Sequence, residues 1–200
     1  MTVYYDYTCS YSYKALHWFD RAREADPSFE VRWATFSLKE VNRPPDEPST
    51  LDDPATTSLS VLALALAHAA READFDRYHR AVFEAMHADL KRLSVEELLG
   101  FAAAAGVDVG AFDRDRGSWI ARLAAEHRDA VAKWGMYGTP TLLLNDAAAF
   151  VRLREIPGAA QSVGLLDDLR SLSTRPAALV ELYREEPPPA PRTQVEMGKP

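Results

Sequence analysis

Between Thr2 and Phe36 the hydrophobic pattern changes period twice, and no other feature restricts the fold so much. Thr2 to Tyr7 is rich in aromatic and β-favouring residues and reads as a strand. From Cys9 the period lengthens. Tyr11, Ala15, Trp18, Phe19 and Ala22 fall on one face of an amphipathic helix, which Asp26-Pro27 ends. Phe29 to Phe36 then alternates, with Phe29, Val31 and Trp33 on one side and Glu30 and Arg32 on the other. Strand, helix and strand in this order form a βαβ unit, whose crossover is right-handed and whose strands run parallel.

Asn42 to Pro54 is a loop rich in Pro, Asp and Ser, and beyond it every periodic signal is helical. Leu59, Leu62, Leu66 and Ala69 mark one apolar face, and Phe75, Tyr78, Val82, Phe83 and Met86 mark another. Ser94-Val95-Glu96-Glu97 has capping-box form ahead of Leu98, Phe101 and Ala105. Trp119, Leu123, His127, Ala130, Val131 and Trp134 line a last long helix. No fixed period recurs, so this is a helical block and not a repeat array.

Strand character returns at Thr141-Leu142-Leu143-Leu144. Asn145-Asp146 suits a hairpin turn, with Phe150-Val151-Arg152-Leu153 as the returning partner after weak alanines. Ser162 to Leu172 reads as a closing helix on Val163, Leu166 and Leu169. A short helical candidate, Ala177 to Arg184, precedes a Pro-rich, extended or mobile tail. The expected class is α/β, in the order β-α-β, helices, β-β-α. Residues 1–54 and 135–175 supply the sheet, residues 55–134 an inserted helical subdomain, and residues 176–200 a C-terminal extension.

The net charge of −7, with no basic block, argues against nucleic-acid binding, where Lys and Arg must neutralise phosphates. No secretory signal opens the sequence, and the longest apolar run, Val61 to Ala67, is too short to span a bilayer. One cysteine cannot form an internal disulfide, which suits a reducing cytoplasm. The histidines show no i, i+4 pair and Cys9 has no cysteine partner, so no metal site is expected. His127, on an apolar helical face, reads as a hydrogen-bonded core residue, and His17 as too far from Cys9 to be its base. Asp113-Arg114-Asp115-Arg116 reads as a solvated helix start.

If the helix begins at Ser10, Cys9 is its N-cap, where the free N–H groups and the positive dipole end favour a thiolate. Ser12 then occupies the third helical position, from which its hydroxyl can donate to that thiolate. The competing reading is a buried, inert cysteine. Tyr11 belongs at the lip of a pocket, and Trp134 and Tyr137 wall the same cleft. In Gly138-Thr139-Pro140, a proline directly before an apolar strand suits the strand's first residue or a special turn. A cis Thr139–Pro140 bond leaves the Thr139 backbone free to pair with an extended ligand; an ordinary trans bond is the alternative.

Cys9-Ser10-Tyr11-Ser12 after the first strand, a helical insertion, and Gly135-Met136-Tyr137-Gly138-Thr139-Pro140 before the third strand together resemble the DsbA-like branch of the thioredoxin superfamily. The chain looks closest to the cytoplasmic DsbA-like oxidoreductases, kappa-class glutathione transferases, mycothiol-dependent nitroreductases and 2-hydroxychromene-2-carboxylate isomerases. Val31 to Asn42 is similar to the second strand and following loop of these proteins. The resemblance runs from about Val3 to about Leu172. It implies a thioredoxin fold with a helical insertion between its halves. It also implies that Cys9 matches the attacking cysteine of the redox members, or the catalytic serine of the kappa-class transferases. Thr139-Pro140 matches the loop that lies against the active-site sulfur and binds substrate backbone. Cys9 and Ser12 are the expected catalytic residues, and Ser10, Tyr11, Thr139 and Pro140 the expected substrate-binding ones.

The chain departs from the redox members' Cys-Pro-x-Cys in having Ser10 for the proline and Ser12 for the resolving cysteine. A mixed disulfide at Cys9 must then be resolved by an outside thiol. The leading expectation is a monothiol thiol-disulfide oxidoreductase with no tightly bound cofactor. Its partners are a low-molecular-weight thiol such as glutathione or mycothiol and a small-molecule or protein disulfide; a homodimer is left open. The alternatives are a glutathione- or mycothiol-dependent transferase or isomerase, and a redox-inactive binding protein on the same fold.

Overall fold

The structure is a computed structural model and describes residues 1–144 and 147–173. The Asn145-Asp146 turn, the helix over Ala177 to Arg184 and the C-terminal extension lie outside the described residues.

Among the described residues four strands form one sheet in the order β2-β1-β3-β4. β1 (Thr2–Tyr5) pairs in parallel with β2 (Arg32–Thr35), setting Val3 opposite Trp33. β3 (Thr141–Leu144) runs antiparallel to β1, with Val3 opposite Leu142, and β4 (Ala147–Phe150) runs antiparallel to β3. α1 (Ser10–Ala25) makes the crossover from β1 to β2, and α8 (Ala159–Ser173) packs against α1, β3 and β4. Between β2 and β3 the chain forms α2 (Leu38–Val41), α3 (Leu59–Ala70), α4 (Phe75–His87), α5 (Val95–Ala104), α6 (Val109–Arg114) and α7 (Arg116–Trp134). The α/β class and the expected order, with helices between two halves of a thioredoxin-like sheet, are therefore those of the molecule.

Both faces of the sheet are covered, which explains why aromatics run consecutively at Tyr4-Tyr5. Val3, Tyr5, Trp33, Leu142 and Leu144 join a large core with α1, α8 and the inserted helices. Tyr4, with Ala34 and Phe36, packs on a smaller cluster holding Ala130 and Met136. The large core is continuous from the sheet into the insert.

Several elements differ from the sequence reading, each for a physical reason. β1 stops at Tyr5, because Asp6 turns its carboxylate onto Thr8 and takes the chain out of the strand. β2 is only four residues long, and Trp33, Ala34 and Thr35 are all buried, so two-sided burial replaces the expected alternation. The alanines Ala147 to Ala149 are themselves β4, while Val151 to Leu153 lie past its end; backbone pairing to Leu142–Leu144 outweighs their low strand preference. α3 is buried from Val61 through Ala70 on every side, wrapped by α4, α5 and α7, where the spacing predicts a single face. The capping box at Ser94 and Glu97 forms as its sequence predicts. Asp113 to Arg116 ends α6 and opens α7.

β2 is an edge of the sheet, and the insert covers it. Glu126 of α7 accepts from both the N–H and the hydroxyl of Thr35, at 2.6 and 2.5 Å. Arg71, at the end of α3, donates to Glu126 at 3.0 Å and to the Trp33 carbonyl at 3.0 Å. His68 Nε2 meets the Thr35 hydroxyl at 2.8 Å. Burial raises the Glu126 pKa, but the Arg71 bonds and charge and the Thr35 hydrogen bonds bring it below its ordinary value. Glu126→Ala leaves the Thr35 N–H and Arg71 unpaired and is expected to destabilise the fold by about 2 kcal/mol in urea denaturation. An unchanged midpoint would show that the edge is held by packing alone.

Candidate active site

Cys9 is the residue immediately before α1 and has extended backbone angles, φ −92° and ψ 113°. Its carbonyl accepts from Tyr13 N at 3.2 Å, so it occupies the N-cap as the sequence implies. The turn that presents it is built on Asp6. The Asp6 carbonyl accepts from Cys9 N at 3.1 Å. One carboxylate oxygen takes Thr8 N and the Thr8 hydroxyl at 2.8 and 2.7 Å, and the other takes Leu38 N at 2.7 Å. Asp6 is fully buried, and that burial raises its pKa against the opposing effect of these hydrogen bonds. Sequence reasoning passed over Asp6 as part of a strand. The available signal was an Asp two residues before a Thr, which is Asx-turn chemistry.

The Cys9 thiol does not cap the helix. It is 8% exposed, and Sγ donates to the Thr139 carbonyl at 3.2 Å. A neutral thiol is a donor, so a carbonyl satisfies it where an amide N–H does not. The Thr139–Pro140 peptide bond is cis. Val151 N donates to the Pro140 carbonyl at 3.0 Å and the Thr141 hydroxyl to the Gly138 carbonyl at 2.8 Å, which together fix this loop at the start of β3. The two motifs separated by 130 positions in the chain thus meet at the sulfur.

Ser12 stands at the third position of α1, as expected. It is fully buried in the first turn of α1, and its hydroxyl has no hydrogen-bond partner, so the bond to Cys9 is not made with the cysteine as a thiol. The Thr139 hydroxyl is likewise buried and unpartnered. Ser10 is exposed and Tyr11 half-buried. Tyr137, 63% exposed, meets the Phe150 ring edge-on at 5.2 Å. Trp134 is half-buried and packs against the second core cluster, which holds Ala130 and Met136.

A buried polar chain lies behind the site. Tyr5 donates to the Tyr7 hydroxyl at 3.4 Å, and the Tyr7 hydroxyl meets His79 Nδ1 at 3.1 Å. With Tyr5 donating, Tyr7 passes its own hydrogen to Nδ1, leaving the His79 proton on Nε2. Nε2 has no polar partner and lies among the rings of Tyr5, Trp33, Phe75 and Phe83. Burial, then the charges of Arg80 and Arg71, push the His79 pKa well below its ordinary value. His87 Nε2 donates to the Tyr7 carbonyl at 2.7 Å. His127 is a core residue, accepting at Nδ1 from Ser37 N at 3.3 Å, and His17 faces Glu84 at 3.5 Å. Among the described residues no cluster of His, Cys, Asp or Glu could hold a metal ion, and no helix is long and apolar enough to cross a membrane.

Comparison with known proteins agrees with the fold. A probable DsbA oxidoreductase of Streptomyces coelicolor, SCO1869, is 20% identical, superposes with a TM-score of 0.61, and is covered over 93% of its length by 90% of this chain. The cytosolic disulfide reductase DsbM of Pseudomonas aeruginosa is 20% identical with a TM-score of 0.55, over 86% of this chain and 98% of that one. SrgA of Salmonella enterica serovar Typhimurium is 17% identical with a TM-score of 0.54, over 84% and 91%. At these identities the likeness is one of fold. No curated protein sequence matches the chain significantly. The sequence model of the DSBA-like thioredoxin domain matches residues 1–170, which span the cysteine ahead of α1, the inserted helices and the loop that receives the thiol, and the chain belongs to that family.

Proposed function

We propose that the protein is a thiol-disulfide oxidoreductase that works with a single cysteine and an external low-molecular-weight thiol. One observation carries this reading: the chain's only cysteine stands at the N-cap position of α1, and its sulfur lies against the Thr139-Pro140 loop. The Cys9 thiolate attacks a disulfide RSSR, forming a Cys9–SR bond and expelling RS⁻. A second thiolate, R′S⁻, then attacks the R sulfur of the mixed disulfide, releasing RSSR′ and restoring the Cys9 thiolate. Electrons balance between the two small thiols, and the protein ends as it began.

Deprotonation removes the hydrogen that Cys9 gives to Thr139. The thiolate then needs donors, and the N–H groups of the first turn of α1 together with the unpartnered Ser12 hydroxyl supply them. Ser10, Tyr11, Thr139 and Pro140 border the sulfur where the substrate lies. A single thiol with no internal partner suits a reducing cytoplasm, and DsbM is a cytosolic reductase.

Mass spectrometry after incubation with glutathione disulfide and with mycothiol disulfide tests the proposal. One adduct, mapped to Cys9 and removed by reducing agent, is expected, and Cys9→Ser abolishes it. If the folded protein stays unmodified under conditions that modify the urea-unfolded chain, the cysteine is an inert core residue and the proposal fails.

A further inference from the structure

One side chain near the helix start and the proline loop has no role in the exchange steps. Phe150 ends β4 and backs the Thr139 loop so closely that a Cβ on Gly138 would stand 2.9 Å from its ring. Two residues on, the Arg152 guanidinium lies 5.2 Å from the centre of the Phe150 ring and 5.8 Å from that of Tyr11, itself in the first turn of α1. Arg152 is thus held between the two segments that meet at Cys9.

Its charge is uncommitted among the described residues. Arg21, Arg80, Arg128 and Arg170 each pair with a carboxylate, whereas Arg152 has no carboxylate partner among the described residues. Lys14 also lies over Tyr11, at 5.5 Å, but its ammonium donates to the carbonyls of Leu153 and Arg154 at 3.2 and 2.6 Å. A guanidinium set against aromatic rings keeps its N–H edge free for a carboxylate in bidentate geometry. The chain as a whole carries −7, which repels anions, so a cation held against the rings of Tyr11 and Phe150, on the two segments that meet at Cys9, is a local exception with a consequence for substrate choice.

We propose that Arg152 is a specificity-determining residue that selects carboxylate-bearing disulfides and thiols at Cys9. Glutathione, with two carboxylates, fits this subsite; mycothiol, which has none, does not. The inference rests on the exchange reading and decides between the two partner thiols that reading leaves open.

The test compares the rate of adduct formation at Cys9 with an anionic disulfide, dithiodipropionate, and a neutral one, hydroxyethyl disulfide. Each rate is divided by that of the urea-unfolded chain to remove intrinsic reactivity. The folded protein is expected to favour the anion about fivefold, the scale of one exposed ion pair, with the preference fading at high salt. Arg152→Gln brings the ratio to about one, and Arg152→Lys restores part of it. A ratio near one in the parent protein, or a preference that survives Arg152→Gln, overturns the proposal. Noncovalent binding of S-methylglutathione to Cys9→Ser protein, with and without Arg152→Gln, supplies an arm without chemistry. A fall of about fivefold supports the subsite, and equal or absent binding overturns it. If Cys9 forms no adduct at all, the exchange reading fails by itself and this binding arm still decides the role of Arg152.

Discussion

Ser12→Cys is expected to free a mixed disulfide at Cys9 from its dependence on outside thiol. Position 12 lies in the first turn of α1, is fully buried, and carries a hydroxyl with no hydrogen-bond partner. A thiol there costs no existing bond and stands three residues from the nucleophile at the same helix end. Its thiolate would attack the Cys9 sulfur of the adduct, expel RS⁻ and close a protein disulfide. RSSR is thereby reduced to two thiols while the protein loses two electrons. In the parent protein adduct decay is first order in added thiol. In the variant it becomes independent of it, because the tether sets a millimolar or higher effective concentration. At micromolar external thiol the adduct lifetime should fall by about 100-fold, read by acid quench and mass spectrometry. Equal lifetimes in the two proteins would mean that residue 12 cannot reach the sulfur, and would remove Ser12 from the proposed site.

A steep loss of stability on mild acidification is the second large effect. His68, His79 and His127 are each less than a tenth exposed, and burial is the first cause that lowers all three. His68 is brought to about 4, with the Arg71 charge adding to burial and Glu126 opposing both. Unfolded histidine titrates near pH 6.5, so below that point the unfolded chain binds protons that the folded one refuses. Stability therefore falls as pH falls, by up to about 1.4 kcal/mol per pH unit for each histidine, or roughly 4 for the three together. Asp6 acts in the opposite sense, since burial raises its pKa and the folded state gains its proton first. The depressed Glu126 adds its own loss only at still lower pH. Unfolding free energies from urea titrations at about pH 7.5 and about pH 5.5 should differ by up to about 4 kcal/mol, and His127→Gln should reduce the slope by about a third. A flat profile would show that these histidines charge freely in the folded state.

The fold was legible wherever a segment's burial was one-sided. α4 and α7 present single apolar faces, and their periodicity places them with little error. Where burial is two-sided the periodic signal vanishes. β2 buries Trp33, Ala34 and Thr35 in succession, and α3 is covered all round, so neither shows the pattern its contacts create. β4 is a strand because β3 offers it a ladder, which no alanine announces.

By itself the sequence determined the element order, the cysteine at a helix start and the Gly-Thr-Pro loop ahead of β3. These are local matters of period, capping and backbone restriction, and each is written within a few residues. Only the tertiary structure decided what the sulfur touches. It turned the Cys9 thiol to a carbonyl 130 positions away, left the Ser12 hydroxyl unpartnered, and set Arg152 against Tyr11 beside the site. Contacts between distant segments depend on how the strands register and how the helices cover them, and no spacing along the chain encodes that distance.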